Sequence, residues 1–225
     1  MILSIDTTTK KASVALKFNN EIICKDIDNE ITHSEKLLPL ISSTLEEYNK
    51  KLSDVELFAC TLGPGSFTGI RIGISTIKAM AKVTDKKIFG ITSLELLALG
   101  LSNAHHKYIL STLDAKHNRV YFELFKNENG KLIPENIYGN LQVPDLVNLL
   151  LDKGIQDILV VSDNTDILKV AFNSNFSNIS FENSTLDLKN IFKADFTDSS
   201  HLYNYLNLDA KYYRASEAER TKLGE

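Results

Sequence analysis

Apolar and polar positions along the 225-residue chain alternate between strand and helix patterns, and the order runs through once and then starts again. Ile2 to Ile5 is a short apolar run that ends in the polar turn Asp6, Thr7, Thr8, Thr9, and it reads as a strand. Ala12 to Phe18 and Glu21 to Ile27 read as two further strands. Asn19-Asn20 between them suits a two-residue hairpin turn. A helix capped by Thr32 or Ser34 follows, with Leu37, Leu38, Leu40, Ile41 and Leu45 close to i, i+3/i+4 spacing. Val55 to Leu62 predicts a fourth strand, Thr68 to Val83 a second helix, Lys87 to Ile91 a fifth strand, and Ser93 to Leu101 a third helix capped by Thr92.

The order restarts at Tyr108 to Leu113, a strand ending in Asp114. Arg119 to Phe125 is the next strand, Asn127 to Gly130 a turn, and Leu132 opens a third strand. Val143 to Leu151 predicts a helix with Pro144 well placed in its first turn. Ile158 to Val161 is a strand, Asp163 to Thr165 a turn, and Asp166 to Phe172 a helix. Thr185 to Leu206 is expected to be mostly helical. Three sequential strands followed by alternating helices and strands imply a mixed sheet covered by helices, so the class is α/β and the motif is duplicated. Two such halves side by side would leave a cleft, with the strand-end acids Asp6 and Asp114 near it.

Hydrophobic residues make up 43% of the chain, enough for a real core, and the net charge of −4 supplies no global basic field for nucleic acid. Cys24 and Cys60 both sit in strand-like apolar runs and are expected to be buried, reduced thiols. The opening MILSIDTTTKK is too short in apolar residues for a signal peptide, and no apolar run approaches about 18 residues, so a soluble cytoplasmic protein without membrane contact is expected.

The densest candidate chemistry is TLGPGSFTGIRIG at residues 61 to 73. Gly63, Gly65, Ser66 and Thr68 lie between a strand and a helix start, a placement that makes either a tight turn or an anion site. The Walker A pattern fails, because Gly69 is followed by Ile70 and Arg71. The serine-hydrolase elbow fails too, because Ser66 directly follows Gly65 and lies three positions before Gly69. Asp6, Thr7 and Thr8 form either a self-capping turn or a nucleotide contact. His33, His105, His106, His117 and His201 show no metal-ligand spacing, so neither a metal site nor a catalytic residue is expected. The helices over 33 to 48 and 68 to 83 are apolar around wide arcs, and Gly69, Gly73, Ser75 and Ala79 allow close helix approach. Such helices are either fully buried or part of an interface.

Six segments together resemble one family. They are ILSIDTTTKKASVAL at 2 to 16, HSEKLLPLI at 33 to 41, LGPGSFTGIRIGISTIKAMA at 62 to 81, GITSLELLA at 90 to 98, DAKHNRVYFELF at 114 to 125 and KYYRASEAE at 211 to 219. In this order they resemble the TsaB (YeaZ) family of accessory proteins in bacterial synthesis of N6-threonylcarbamoyladenosine in tRNA. The resemblance implies an actin-like, sugar-kinase/Hsp70-type fold of two lobes. The expected lobes are 1–102 and 103–225, with the final helix packing back toward the first.

The resemblance also implies a non-catalytic role beside the catalytic paralogue TsaD, which modifies adenosine 37, and cooperation with the ATPase TsaE. The paralogue's metal is held by an HxxxH pair, whose matching positions here are Ser93 and Leu97. The implied partner interface is His33, Leu37, Leu38, Ile41 and Leu45 on the first helix and Ile70, Arg71, Ile74, Ile77 and Lys78 on the second. These helices would bundle with the equivalent pair of TsaD, or pair two copies as a homodimer when the chain is alone. No tightly bound cofactor is implied, ATP or ADP being expected only at the partner interface, and tRNA is met only through the complex. The tail, with Lys211, Arg214, Arg220 and Lys222 among Glu217, Glu219 and Glu225, reads as a solvated amphipathic end. An ATP-dependent kinase-like transferase on the same scaffold is the alternative, but residues 155 to 185 lack the glycines of an adenosine motif. A metallopeptidase, the remote alternative, lacks its ligands.

Overall fold

A computed structural model describes residues 1–28, 33–172 and 175–214, and at His33 the backbone only. The chain divides into two units, the first made of Met1–Leu96 and Leu188–Tyr212, the second of Leu97–Asp187 with the chain from Tyr213 onward.

The first unit opens with β1 (Ile2–Asp6), β2 (Lys11–Phe18) and β3 (Glu21–Asp28), an antiparallel meander. Asn19 and Asn20 carry positive φ of 47° and 66°, the handedness that keeps a two-residue hairpin in step with strand twist. Helix α1 (His33–Glu47) leads to β4 (Leu57–Thr61), and α2 (Phe67–Thr84) leads to β5 (Lys87–Ile91). Both β4 and β5 join the sheet in parallel, which requires crossover connections of this kind. The sheet order is β3-β2-β1-β4-β5, with a short β11 (Leu202–Tyr203) added antiparallel at the β5 edge.

Helix α3 (Ser93–Leu99) follows β5, and Thr92 caps it by accepting from Glu95 N at 2.8 Å. The second unit repeats the order. Strands β6 (Tyr108–Asp114), β7 (Arg119–Glu128) and β8 (Lys131–Gln142) form the meander. Then α4 (Val143–Asp152), β9 (Asp157–Ser162), α5 (Asp166–Phe172) and β10 (Asn178–Asn183) complete the sheet β8-β7-β6-β9-β10. This duplicated mixed sheet with helices between its strands is the α/β class expected from the sequence.

Each sheet is stabilised through a separate core. In the first, Leu3, Ile5, Val14 and Leu16 meet Leu37, Ile41 and Leu45 of α1 and Ile70, Ile74 and Ile77 of α2. In the second, Val120, Phe122 and Leu124 meet Leu146 and Leu150 of α4 and Leu168 and Phe172 of α5. Each such apolar side chain contributes roughly 1.5–3 kcal/mol on leaving water.

Several expectations are corrected. Residues 185 to 206 hold two short 3₁₀ turns (Leu188–Lys193 and Ser199–His201) and β11 rather than a helix. Leu188, Ile191 and Phe192 are buried at helical spacing. Beyond them, Asp195, Asp198 and Asn204 accept from the backbone N–H groups of Thr197, Ser200 and Leu206, which turns the chain away from a helix. The strand at β10 was missed, because only Ile179 and Phe181 of its six residues are large and apolar. Cys60 is buried but Cys24 is only half-buried, on the edge strand β3. The cap at Thr32, together with Glu217, Glu219, Arg220, Lys222 and Glu225 of the tail, lies outside the described residues.

The returning segment is fastened at His201, whose Nε2 lies 3.2 Å from Glu95 Oε2 and whose Nδ1 lies 3.4 Å from Asp198 Oδ2. The hydrogen bond with Glu95, aided by the charges of Glu95 and Asp198, raises the His201 pKa above 6.5 despite burial and the opposing charge of Lys211. A raised folded pKa stabilises fully below the unfolded value and is lost as pH rises through the folded one. Thermal melts should therefore show wild type above His201→Gln at pH 6, with the gap narrowing at pH 9. A gap that is constant or widens with pH would contradict this.

Candidate functional site

Asp6 ends β1 in the interior, 3% exposed. Its Oδ1 accepts from Thr8 N at 3.0 Å, from Thr8 Oγ1 at 2.7 Å and from the Thr61 hydroxyl at the end of β4. Ser93 Oγ in turn donates to Thr8 Oγ1 at 3.1 Å. A carboxylate so enclosed is stabilised as a structural acceptor by three donors. Its charge also reaches Cys60, whose thiol is pushed up to about 12, chiefly by burial.

The glycine loop closes over this turn. Thr7 Oγ1 donates to Gly69 O at 2.7 Å, and Ser66 N donates to Thr8 O at 2.7 Å. Ser66 caps α2, its Oγ accepting from Gly69 N at 3.2 Å. A Cβ at Gly65, Gly69 or Gly73 would fall closer than 3.0 Å to an atom of Thr7 or Thr8. Gly63 has φ of 103° and its carbonyl accepts from Ser93 N at 2.8 Å. The structure therefore brings Asp6, Thr7, Thr8, Gly63, Gly65 and Ser66 together, with Thr68 exposed on the first turn of α2. Their polar groups are engaged with one another: Ser66 N and Gly69 N, two donors an anion would need, are already in use.

The interface assignment divides in two. Leu37, Ile41, Leu45, Ile70, Ile74 and Ile77 are between 0% and 7% exposed and belong to the unit's own core. The wide apolar arcs of α1 and α2 cover the sheet and each other. Leu38, 54% exposed, remains on the surface, as do Arg71, Ser75, Ala79 and Val83 along the outer side of α2. Arg71 and Lys78 contact the returning segment. Arg71 Nε donates to Tyr212 OH at 3.2 Å, and Lys78 Nζ donates to Leu208 O at 3.1 Å. Phe67 stacks on Tyr212 with centroids 4.3 Å apart. The side chain of His33 lies outside the described residues.

Sequence reasoning missed Thr61 and Tyr212. Thr61 is the polar end of an apolar strand, the place Asp6 takes in β1, and that parallel was a readable signal. The Tyr212 contacts join residues more than a hundred positions apart and had none. Among the described residues no cluster of three potential metal ligands occurs, and no helix is long and apolar enough to cross a membrane.

In the second unit Asp114 ends β6 and Asp163 directly follows its neighbour β9, and Asp114 N donates to Asp163 Oδ1 at 3.1 Å. Burial works against ionisation at Asp114, but hydrogen bonds from Lys116 outweigh it and lower its pKa. Burial, with the charge of Asp114, raises that of Asp163.

A family model for TsaD, the tRNA N6-adenosine threonylcarbamoyltransferase, matches residues 28–203. The tRNA threonylcarbamoyladenosine biosynthesis protein TsaB of Bacillus subtilis is 30% identical over 75% of this chain and 73% of its own length. The chain belongs to the TsaB family. TsaB of Haemophilus influenzae is 34% identical over 54% of this chain, an alignment that spans about half, 52%, of that relative. The crystal structure of a Pseudomonas aeruginosa protein similar to the peptidase YeaZ superposes with a TM-score of 0.78, at 22% identity over 95% of this chain and 99% of that one. At that identity the likeness shows the fold, and it extends across both units of this TsaB family member.

The close approach generates a test. Gly69→Ala would drive a methyl group against the Thr7 carbonyl, where backbone must move. The expected destabilisation is about 2 kcal/mol or more in a denaturant titration. An unchanged midpoint would mean that the loop does not need the close contact.

Proposed function

We propose that the chain is a non-catalytic accessory subunit in the synthesis of N6-threonylcarbamoyladenosine at tRNA position 37. The reading is carried by Ser93 and Leu97, the residues that the family resemblance matches to the paralogue's HxxxH metal ligands. A leucine offers no ligand atom, and the Ser93 hydroxyl is buried against Thr8. The names of the TsaB relatives supply the pathway.

In this reading the exposed side of α1 and α2 receives the catalytic paralogue TsaD. Leu38 and Val83 give apolar area there, and the short side chains of Ser75 and Ala79 let a partner helix come close. The same side pairs two copies when the chain is alone. ATP or ADP enters at the joint with the partner, the ATPase TsaE acts on the assembled pair, and tRNA is met through that complex in the cytoplasm.

Reconstitution tests this: TsaD, TsaE, the carbamoyl-adenylate-forming enzyme, threonine, bicarbonate, ATP and a tRNA reading codons that begin with A, with and without the chain, scored by mass spectrometry of the modified adenosine. Modification should require the chain and should fall about tenfold or more with Ser75→Arg or Leu38→Glu, equivalent to about 1.4 kcal/mol of lost association. Those variants should melt as wild type does, whereas Ile74→Glu should unfold the first unit, since it buries an unpaired carboxylate in the core. Full modification without the chain would reject the proposal.

A further inference from the structure

The second unit holds a hydrogen-bonded relay that the reading above does not use. His106, just before β6, is held between two side chains: Nδ1 lies 2.8 Å from Asp157 Oδ1 and Nε2 lies 3.0 Å from Ser180 Oγ. Asp157 is itself fixed, accepting from Asn178 Nδ2 at 2.9 Å on Oδ1 and from Lys107 N at 3.2 Å on Oδ2. A carboxylate with those donors accepts from His106 Nδ1–H, which leaves the Nε2 lone pair facing the Ser180 hydroxyl. The three side chains come from the loop before β6, the start of β9 and the third residue of β10, and the parallel pairing of β6, β9 and β10 brings them to one edge. Ser180 points from the exposed side of the edge strand, open to a reagent. His106 and Asp157 also line a polar cavity of about 500 Å³, with His105, Asn127, Asn129 and Gly130.

We propose that Ser180 is an activated nucleophile toward small acyl esters, with His106 as its general base and Asp157 as the positioning residue. The constellation satisfies the ordering of nucleophile, base and orienter within hydrogen-bond reach. Ser180 Oγ attacks the ester carbonyl carbon while its proton passes to His106 Nε2. The C–O bond to the leaving group breaks, that oxygen takes the proton from Nε2, and an acyl-serine remains. Water then attacks the acyl carbon, His106 receives its proton and returns it to Ser180 Oγ, and the free acid departs. The relay supplies a base and an orienter, so the fitting substrates are activated esters with good leaving groups, such as aryl esters.

The test uses the full chain with a fluorophosphonate probe and with p-nitrophenyl acetate. Label should map to Ser180 by peptide mass spectrometry and vanish in Ser180→Ala, a substitution at an exposed position. His106→Gln should slow both labelling and acyl release by about 100-fold or more. Asp157→Asn, which favours the wrong histidine tautomer, should slow them while leaving the probe's saturation unchanged. Circular dichroism melts accompany each variant, and if one replacement of the relay fails to fold the other decides. Absence of label on Ser180, or labelling of Ser180 at the wild-type rate in a folded relay variant, would overturn the proposal.

Discussion

The turn at Asp6, Thr7 and Thr8 and the glycine loop approach each other closely, and much else in the first unit depends on that contact. Backbone at Thr8 and Thr7 sits where a Cβ at Gly65 or Gly69 would have to be, and the Thr7 hydroxyl sits where one at Gly73 would. That approach sets α2 against the end of β1, and the Thr7 hydroxyl fixes it by donating to Gly69 O. Once α2 is seated there, Ile70, Ile74 and Ile77 reach the core beside Leu3 and Ile5. The glycines thus serve helix–strand packing, one of the uses to which glycine-rich turns at helix starts are put even when a phosphate is bound. The hydroxyls of Thr7, Thr8 and Ser66, which could have met a phosphate, are engaged in the same contact.

Much of this was legible in the sequence where the signal is local. The Asn19-Asn20 hairpin, the Thr92 cap and Pro144 at the start of α4 all follow from residues within a few positions of one another. What failed was non-local or ambiguous. The wide apolar arcs of α1 and α2 admit both a deep core and an interface, the resemblance favours the interface, and only the sheet beneath them decides that Ile74 is inside while Ser75 is outside. The helix expected at 185 to 206 failed because aspartate and asparagine side chains there satisfy the backbone before a helix forms. In the site, Asp6, Thr7 and Thr8 were found by their place after β1. Thr61 and Ser93, which complete their hydrogen bonds, come from two other elements; the strand-end parallel points to Thr61, but no spacing along the chain shows that either meets this turn.

The two units share a topology but treat their strand ends differently. In the first, the acid ending β1 is enclosed by Thr8 and Thr61. In the second, the equivalent end of β6 carries Asp114 beside Asp163, two carboxyls whose affinities for a proton are pushed in opposite directions. Identical backbone order therefore leaves the chemistry of the strand ends free to diverge, which is why fold alone does not license an activity.

The Ser180 relay lies at the other end of the second sheet. In open α/β sheets ligands bind beyond the carboxyl ends of the strands, whereas Asp157 is the first residue of β9 and His106 precedes β6. A site there lies away from the carboxyl ends of the strands. It depends on an edge: β10 is the outermost strand, so Ser180 has a sheet neighbour on one side only, and its hydroxyl can face both His106 and solvent. The corresponding edge of the first sheet is closed by β11 against β5. The difference between a covered and an uncovered edge, set by where residues 188 to 212 return, is what leaves the second unit alone with room for a nucleophile on its last strand.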